Sequence, residues 1–144
     1  MDLKLSTRSH KDVLIIDVNG RITSGDAISS FREAIRDQVA KGKDKILLDM
    51  SDVTYMDSSG LGELVMALGT VTQMVCASCG ATVFRNDSGG WNRCPQCKSA
   101  ERKPWGQLRL AGVTGPVKDL LQFSKLHSVF QIHDSEADAL RSFE

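Results

Sequence analysis

Ile46-Leu47-Leu48-Asp49-Met50, followed after a short polar step by Met56-Asp57-Ser58-Ser59-Gly60-Leu61-Gly62-Glu63-Leu64, decides how the rest of the chain is read. The first run is continuous and apolar, as a buried strand requires. After the turn, Leu61, Leu64, Val65, Leu68, Val71 and Val75 recur at helical spacing. A carboxylate and two adjacent hydroxyls therefore sit at a strand-to-helix turn. The first amides of that helix have no partner within it and carry partial positive charge, which suits a phosphate. Gly60 and Gly62 remove side chains from the turn, so another molecule's backbone can approach there. The plainer alternative is that Ser58 or Ser59 only caps the helix.

The same alternation extends in both directions. Leu3 to Arg8 and Val13 to Val18 read as strands joined at His10-Lys11-Asp12, with Gly20 ending the second. Ser24-Gly25-Asp26 opens a helix over 27–40 that faces inward with Ile28, Phe31, Ile35, Gln38 and Val39 and stops at Gly42. Beyond the central helix, 107–111 reads as a strand. Thr114-Gly115-Pro116 opens a helix carrying Val117, Leu120 and Leu121. Val129 to Ile132 reads as a strand, and His133-Asp134-Ser135 starts a last helix with Ala137 and Leu140 facing in. The expected class is α/β, with about four helices packed on a small mixed sheet.

Composition shifts at Cys76. From there to Gly106 lie all four cysteines, both tryptophans, five basic residues (Arg85, Arg93, Lys98, Arg102, Lys103) and two acidic ones (Asp87, Glu101), a net charge of +3. The whole chain balances 18 basic against 18 acidic residues, so the remainder carries −3. Cys76-Ala77-Ser78-Cys79 and Cys94-Pro95-Gln96-Cys97 are two Cys-x-x-Cys pairs, the spacing of metal knuckles. Four thiolates supply a closed tetrahedral Zn(II) site, structural because no position stays open. Redox disulfides, an iron–sulfur site or iron in the same cage are the rival readings. Val83-Phe84-Arg85 and Gly90-Trp91-Asn92-Arg93 form the expected hairpin between knuckles, turning over 86–89. The expected division is a body of residues 1–75 and 105–144 and an inserted zinc ribbon of residues 76–104.

Several functions are excluded or lack support. Balanced charge gives no global attraction to nucleic acid or anionic membrane. No apolar run approaches the roughly 20 residues that span a bilayer. Met1-Asp2-Leu3-Lys4-Leu5 lacks a signal-peptide core, so a cytoplasmic location is expected. His10, His127 and His133 pair with no serine or cysteine by spacing. Ser58 lacks a Gly-x-Ser-x-Gly setting, and Gly60-Leu61-Gly62 lacks the lysine of a phosphate loop. Asp49, Asp52 and Asp57 read as strand-end and turn carboxylates rather than a magnesium cluster. A catalytic role is therefore not expected. The ribbon is read either as a stapled loop or as a docking surface. Protein docking, or a steric selector, ranks ahead of nucleic acid at a charge of +3.

The order of segments resembles the STAS domain of bacterial anti-sigma factor antagonists. The likeness rests on residues 20–25, 45–50, 53–64, 106–110, 117–121 and 125–130, with the Asp57-Ser58-Ser59-Gly60-Leu61-Gly62 motif at its centre. It implies the STAS fold and a phosphorylation switch. The serine after the aspartate, here Ser58, is then the acceptor, with Ser59 the runner-up. An ATP-binding anti-sigma factor is the serine kinase and binding partner, and a serine phosphatase reverses the modification. The implied partner surface comprises Asp57, Ser58, Ser59, Gly60, Leu61, Gly62, Ser24 and Asp26. Two features depart from the family. Thr23 stands where many members carry an acidic residue, leaving Asp26 as the nearest carboxylate, and most relatives lack the insertion. A scaffold whose ribbon does the binding is the competing reading.

Overall fold

A computed structural model describes residues 3–143; Met1 and Asp2, part of the N-terminal stretch read above, and Glu144 lie outside it. In chain order the elements are β1 (Lys4–His10), β2 (Val13–Ile22), α1 (Asp26–Ala40), β3 (Lys45–Met56), α2 (Ser58–Val71), β4 (Met74–Cys76), β5 (Arg102–Pro104), β6 (Gln107–Ala111), α3 (Gly115–Phe123), β7 (Gln131–His133) and α4 (Glu136–Ser142). Among the described residues no helix is long and apolar enough to cross a membrane.

The main sheet has the order β1-β2-β3-β6-β7. Only β1 and β2 are antiparallel; β2, β3, β6 and β7 run parallel. The short turn at Lys11-Asp12 explains the first pairing, and intervening helices permit the parallel ones. The mixed α/β class expected from the sequence is thus the observed one.

Val13 to Ile16 is apolar without alternation because both faces of β2 are covered at that level. Leu14, Ile16, Ile46, Leu48 and Met50 pack with Phe31 and Ile35 of α1, Leu64, Ala67 and Val71 of α2, and Val117 and Leu121 of α3. Val13, Ile15, Leu47 and Ala111 face the other way and meet Ala139 and Phe143. A buried aliphatic side chain contributes about 1.5–3 kcal/mol, so these clusters hold the fold.

Several boundaries differ from expectation. Gly20 does not end β2. It sits buried inside the strand at φ 114, beside register shifts against β3, and the strand continues to Ile22. With that partner available, β3 runs through the polar Ser51-Asp52 step to Met56. Val75 belongs to β4 rather than to the face of α2, and Val65 is partly exposed. Val129 and Phe130 are not strand: a 3₁₀ turn at Leu126–Ser128 precedes a β7 that begins at Gln131. In α4 Leu140 packs inward as expected, but it is joined by Ala139 and then Phe143, while Ala137 is exposed.

The cysteine-rich segment leaves the main sheet. β4 and β5 form a separate antiparallel pair, and the Trp105 amide closes it on the Gln73 carbonyl at 2.8 Å. The chain re-enters through Gly106, where a Cβ would lie 2.5 Å from the Asp44 carbonyl oxygen. Within the segment the expected hairpin is reduced to the Arg85–Trp91 bridge, and a second bridge joins Val75 to Thr82. Its turn is held by Asn86, whose side-chain oxygen accepts from the Ser88 and Gly90 amides at 3.1 and 2.9 Å.

Candidate functional site

Parallel β2 and β3 deliver two helix N-termini to one edge of the sheet. The Asp57 amide donates to the Ile22 carbonyl at 3.3 Å, locking the start of α2 onto the end of β2. Asp57, not either serine, caps the helix: its Oδ1 accepts from the Gly60 amide at 2.9 Å. The alternative in which Ser58 or Ser59 caps the helix is corrected, because β3 runs on to Met56 and puts the aspartate in the capping position. Ser58 and Ser59 instead occupy the first turn, both exposed. Their amides have no acceptor within the helix.

Gly60 is buried, and a Cβ there would lie 2.2 Å from the Ile22 carbonyl oxygen and 2.7 Å from Met56 Cγ. It faces its own chain, so it shapes the turn rather than opening it to a partner. Gly62 is exposed with nothing near its missing Cβ, and Leu61 is half-buried against the core. Ser24 and Asp26 are exposed at the same edge, where α1 begins. The residue capping α1 is Gly25, at φ 100, with no side-chain hydrogen bond.

Sequence reading missed a groove at this edge. Tyr55, Met56, Pro116, Asp119, Leu120 and Phe123 line about 430 Å³ directly before the Asp57 turn. Phe123 is 89% exposed and Tyr55 41%, with the Arg21 guanidinium 4.9 Å from the tyrosine ring centroid. Tyr55 and Phe123 are joined only by packing of α3 on β3. The one sequence signal was Phe123, which lies outside the inward stripe of α3.

At the other end of α2 the four cysteines converge. Their Sγ atoms all lie within 4.8 Å of one another, with Cys76–Cys97 at 3.5 Å and Cys79–Cys94 at 3.4 Å. A disulfide needs about 2.05 Å, and all four are free. Tetrahedral zinc at about 2.3 Å from each sulfur implies S–S separations of about 3.8 Å, close to those seen.

The two knuckles repeat each other bond for bond. The Ser78 and Gln96 amides each donate to the first sulfur of their pair, Cys76 and Cys94, at 3.4 Å. The Gly80 and Lys98 amides donate back to the Cys76 and Cys94 carbonyls, at 2.9 and 3.0 Å. Gly80 and Lys98 both adopt positive φ, 81 and 64. Cys76 and Cys94 pack with Val83 and Trp91 in a small core of their own.

Without a cation the four sulfurs cannot all ionise. Cys76 is drawn down to about 6, first by the Cys79 amide and then by its other neighbours. Cys94 is lowered mainly by the Cys97 amide. Cys79 is pushed up to about 12: the Ala81 amide lowers it, but the Cys94 sulfur and burial outweigh that pull. Cys97 is raised in the same way against the Ser99 amide, chiefly by Cys76. Cys76 and Cys94 are thus drawn toward the thiolate and Cys79 and Cys97 toward the thiol; a soft divalent cation would favour the thiolate at all four.

A second group, Asp17, Asp49 and Glu136, gathers on the opposite face of the sheet. Arg8 lies among them. Its Nε donates to Asp17 at 2.7 Å, its Nη1 to Glu136 at 3.1 Å, and Asp49 is 3.7 Å from Nη2. This is an ion-pair network linking β1, β2, β3 and α4.

Comparison with known proteins agrees with the fold. Residues 4–83 match the STAS domain. An anti-sigma F factor antagonist of Paenibacillus polymyxa is 26% identical over 147 residues, spanning 100% of this chain and 97% of that protein. The crystal structure of a candidate anti-sigma factor antagonist of Thermotoga maritima superposes with a TM-score of 0.68 at 22% identity, covering 96% of this chain and 92% of its own. The Bacillus cell-fate determinant SpoIIAA, in its phosphorylated form, superposes with a TM-score of 0.57 at 15% identity over 99% of both chains. The match over more than half its length, on a five-stranded mixed sheet with α2 opening at Asp57, makes this chain a member of the STAS domain family.

Proposed function

We propose that the chain is a non-catalytic regulator of the anti-sigma factor antagonist type, switched by phosphorylation at Ser58. The observation that carries this reading is the position of Ser58: exposed in the first turn of α2, its hydroxyl unused because Asp57 does the capping. The likeness to the Paenibacillus anti-sigma F factor antagonist supports an anti-sigma factor as the partner; in this reading that factor is a serine kinase, and a serine phosphatase resets the switch. Asp57, Ser58, Ser59, Leu61, Gly62, Ser24 and Asp26 are the surface offered to that kinase, with Gly60 supporting it from beneath.

The electrostatics favour a switch without a large shape change. A phosphate adds about −1.5 to −2 charges and three acceptors. On the free protein, unpaired amides at the helix start and surrounding water accommodate it. Inside a docked interface it is desolvated beside Asp57 and Asp26. Each ~1.4 kcal/mol lost there weakens binding tenfold.

Residues 1–75 and 105–144 make up the STAS body in this reading, and 76–104 the inserted ribbon. Cys76, Cys79, Cys94 and Cys97 would hold a structural Zn(II), whose charge neutralises four thiolates and closes both knuckles on one centre. Such a site contributes about 10–16 kcal/mol in small peptides, which a core as small as Cys76, Val83 and Cys94 needs.

The test is fragmentation mass spectrometry of the protein from its own cells across growth conditions. Phosphate confined to Ser58 and varying with condition is expected; its absence in every condition overturns the switch. A second reading, an adaptor that binds through the ribbon, draws on the placement of the ribbon at the far end of α2 from Ser58. It expects Cys94→Ser to abolish partner capture and Ser58→Ala to leave it intact.

A further inference from the structure

In the body, Arg8, Arg32, Lys45 and Arg141 are in ion pairs, while Arg21 and Arg109 stack on Tyr55 and Phe143. Among the described residues none of Arg85, Arg93, Lys98, Arg102 and Lys103 has a carboxylate partner, although the ribbon's own Asp87 and Glu101 are close in sequence. Instead two guanidiniums stack on one indole: Arg85 lies 4.6 Å and Arg102 5.1 Å from the Trp91 ring centroid. Arg85 is steadied further by donating from Nη1 to the Gly89 carbonyl at 3.1 Å. Trp91 is itself anchored against the sulfur core.

Stacking on a ring holds a guanidinium by its face and leaves most of its N–H edge free. Two such forks on a frame drawn together by the four cysteines are prepared for carboxylates, which each fork can bind bidentately. Little side-chain entropy remains to be lost on binding, because both arms are already ordered. Arginine and tryptophan are also the residues that most often dominate protein interfaces. A nucleic-acid strand fits less well: a base would have to displace an arginine to stack on Trp91.

Placement matters as much as chemistry. The ribbon departs from Thr72 and Gln73, just past the end of α2, while Ser58 opens that helix. Fourteen residues at 1.5 Å each separate the two ends by about 20 Å. A short segment bound on the ribbon therefore leaves the Ser58 edge uncovered.

We propose that the Arg85–Trp91–Arg102 face docks an acidic segment of a partner protein, independently of whatever occupies the Ser58 edge. Only that independence rests on the proposed switch; the docking does not.

The test uses the full zinc-loaded chain, with amide and side-chain NMR and a synthetic dodecapeptide rich in Asp and Glu. Its Asn/Gln counterpart and an oligothymidylate of equal length serve as comparisons. The expected result is salt-sensitive binding of the acidic peptide alone, with shifts confined to the Trp91 indole N–H, Arg85, Arg102 and their neighbours. Arg85→Lys/Arg102→Lys keeps the charge but loses the stacked forks, and should weaken the peptide at least tenfold with zinc content unchanged. An unchanged affinity in that variant overturns the proposal in favour of diffuse charge. Tighter binding of oligothymidylate overturns it in favour of nucleic acid, and no peptide binding, or shifts centred on the body, overturns it outright. Ser58→Asp should leave peptide affinity within twofold; a larger change overturns the independence of the two ends, while the docking result stands on the other measurements.

Discussion

Arg32 Nε and Nη2 each donate at 2.8 Å to one oxygen of Glu63, a two-pronged pair that ties α1 to α2. Glu63 is buried and is the one charged residue of α2; Arg32 is half-exposed and covers it from the solvent side. The hydrogen bonds from Arg32 hold the Glu63 carboxyl below the usual carboxylate range, against the opposing effect of burial.

That lowered value makes a pH prediction. A group with a depressed folded pKa stabilises the fold above its unfolded value, about 4.3 for glutamate, and the contribution is lost as pH falls through the folded value. Urea unfolding of the parent and Glu63→Gln should therefore differ most at neutral pH. The difference should shrink as pH drops below about 4. A difference that stays constant from neutral pH to about 3 would mean that the ionised pair contributes nothing.

The two glycines of the turn should respond in opposite ways. Gly60→Ala drives a methyl into the Ile22 carbonyl and should cost about 3 kcal/mol or more, since backbone cannot yield cheaply. Gly62→Ala meets nothing and should stabilise by roughly 0.5–1 kcal/mol through helix propensity. Thermal unfolding of both variants decides it. A Gly62→Ala protein that is more stable yet binds its partner less well would identify the exposed side of that turn as contact surface.

Capping separates the aspartate from the serine. Asp57→Ala should lose about 1 kcal/mol, because the Gly60 amide loses its acceptor. Ser58→Ala should leave stability within about 0.5 kcal/mol, since it is an exposed surface change. Equal losses in chemical denaturation would show that Ser58 also supports the helix, and a Ser58→Ala phenotype could then not be read as loss of the phosphoacceptor.

Metal removal should unfold one part of the chain and spare the other. With a chelator, amide signals of 77–101 should collapse to random-coil positions while those of β1–β3 and α1 persist. The sulfur core shares no residue with the two clusters of the main sheet. The intact protein should carry one zinc per chain by metal analysis. Loss of the whole fold on chelation would show that the ribbon and body are one cooperative unit.

Much of the fold was legible because it depends on short-range patterns. The apolar runs Val13–Ile16 and Ile46–Met50 are buried on both faces, and continuous apolar sequence is what such strands require. The cysteine pairs announced their geometry through spacing alone, since a knuckle is completed within five residues. What could not be read depended on partners far along the chain. β3 runs on to Met56 because β2 continues past Gly20 to meet it, and that extension makes Asp57 the cap. Glu63 has its charge partner within an otherwise uncharged helix only because the fold brings Arg32, 31 residues earlier, against it. Phe123 and Tyr55 form a groove only because α3 lies on β3.

The sequence by itself determined the alternation of strands and helices, the two cysteine knuckles and the Asp-Ser-Ser turn, because each is written in residues within one or two turns of one another. Only the tertiary structure decided that Gly60 faces inward, that Arg85 and Arg102 stack on Trp91 without acidic partners, and that the ribbon and Ser58 stand at opposite ends of α2. Those outcomes follow from long-range strand pairing and packing, whose energies depend on residues that local spacing does not bring together.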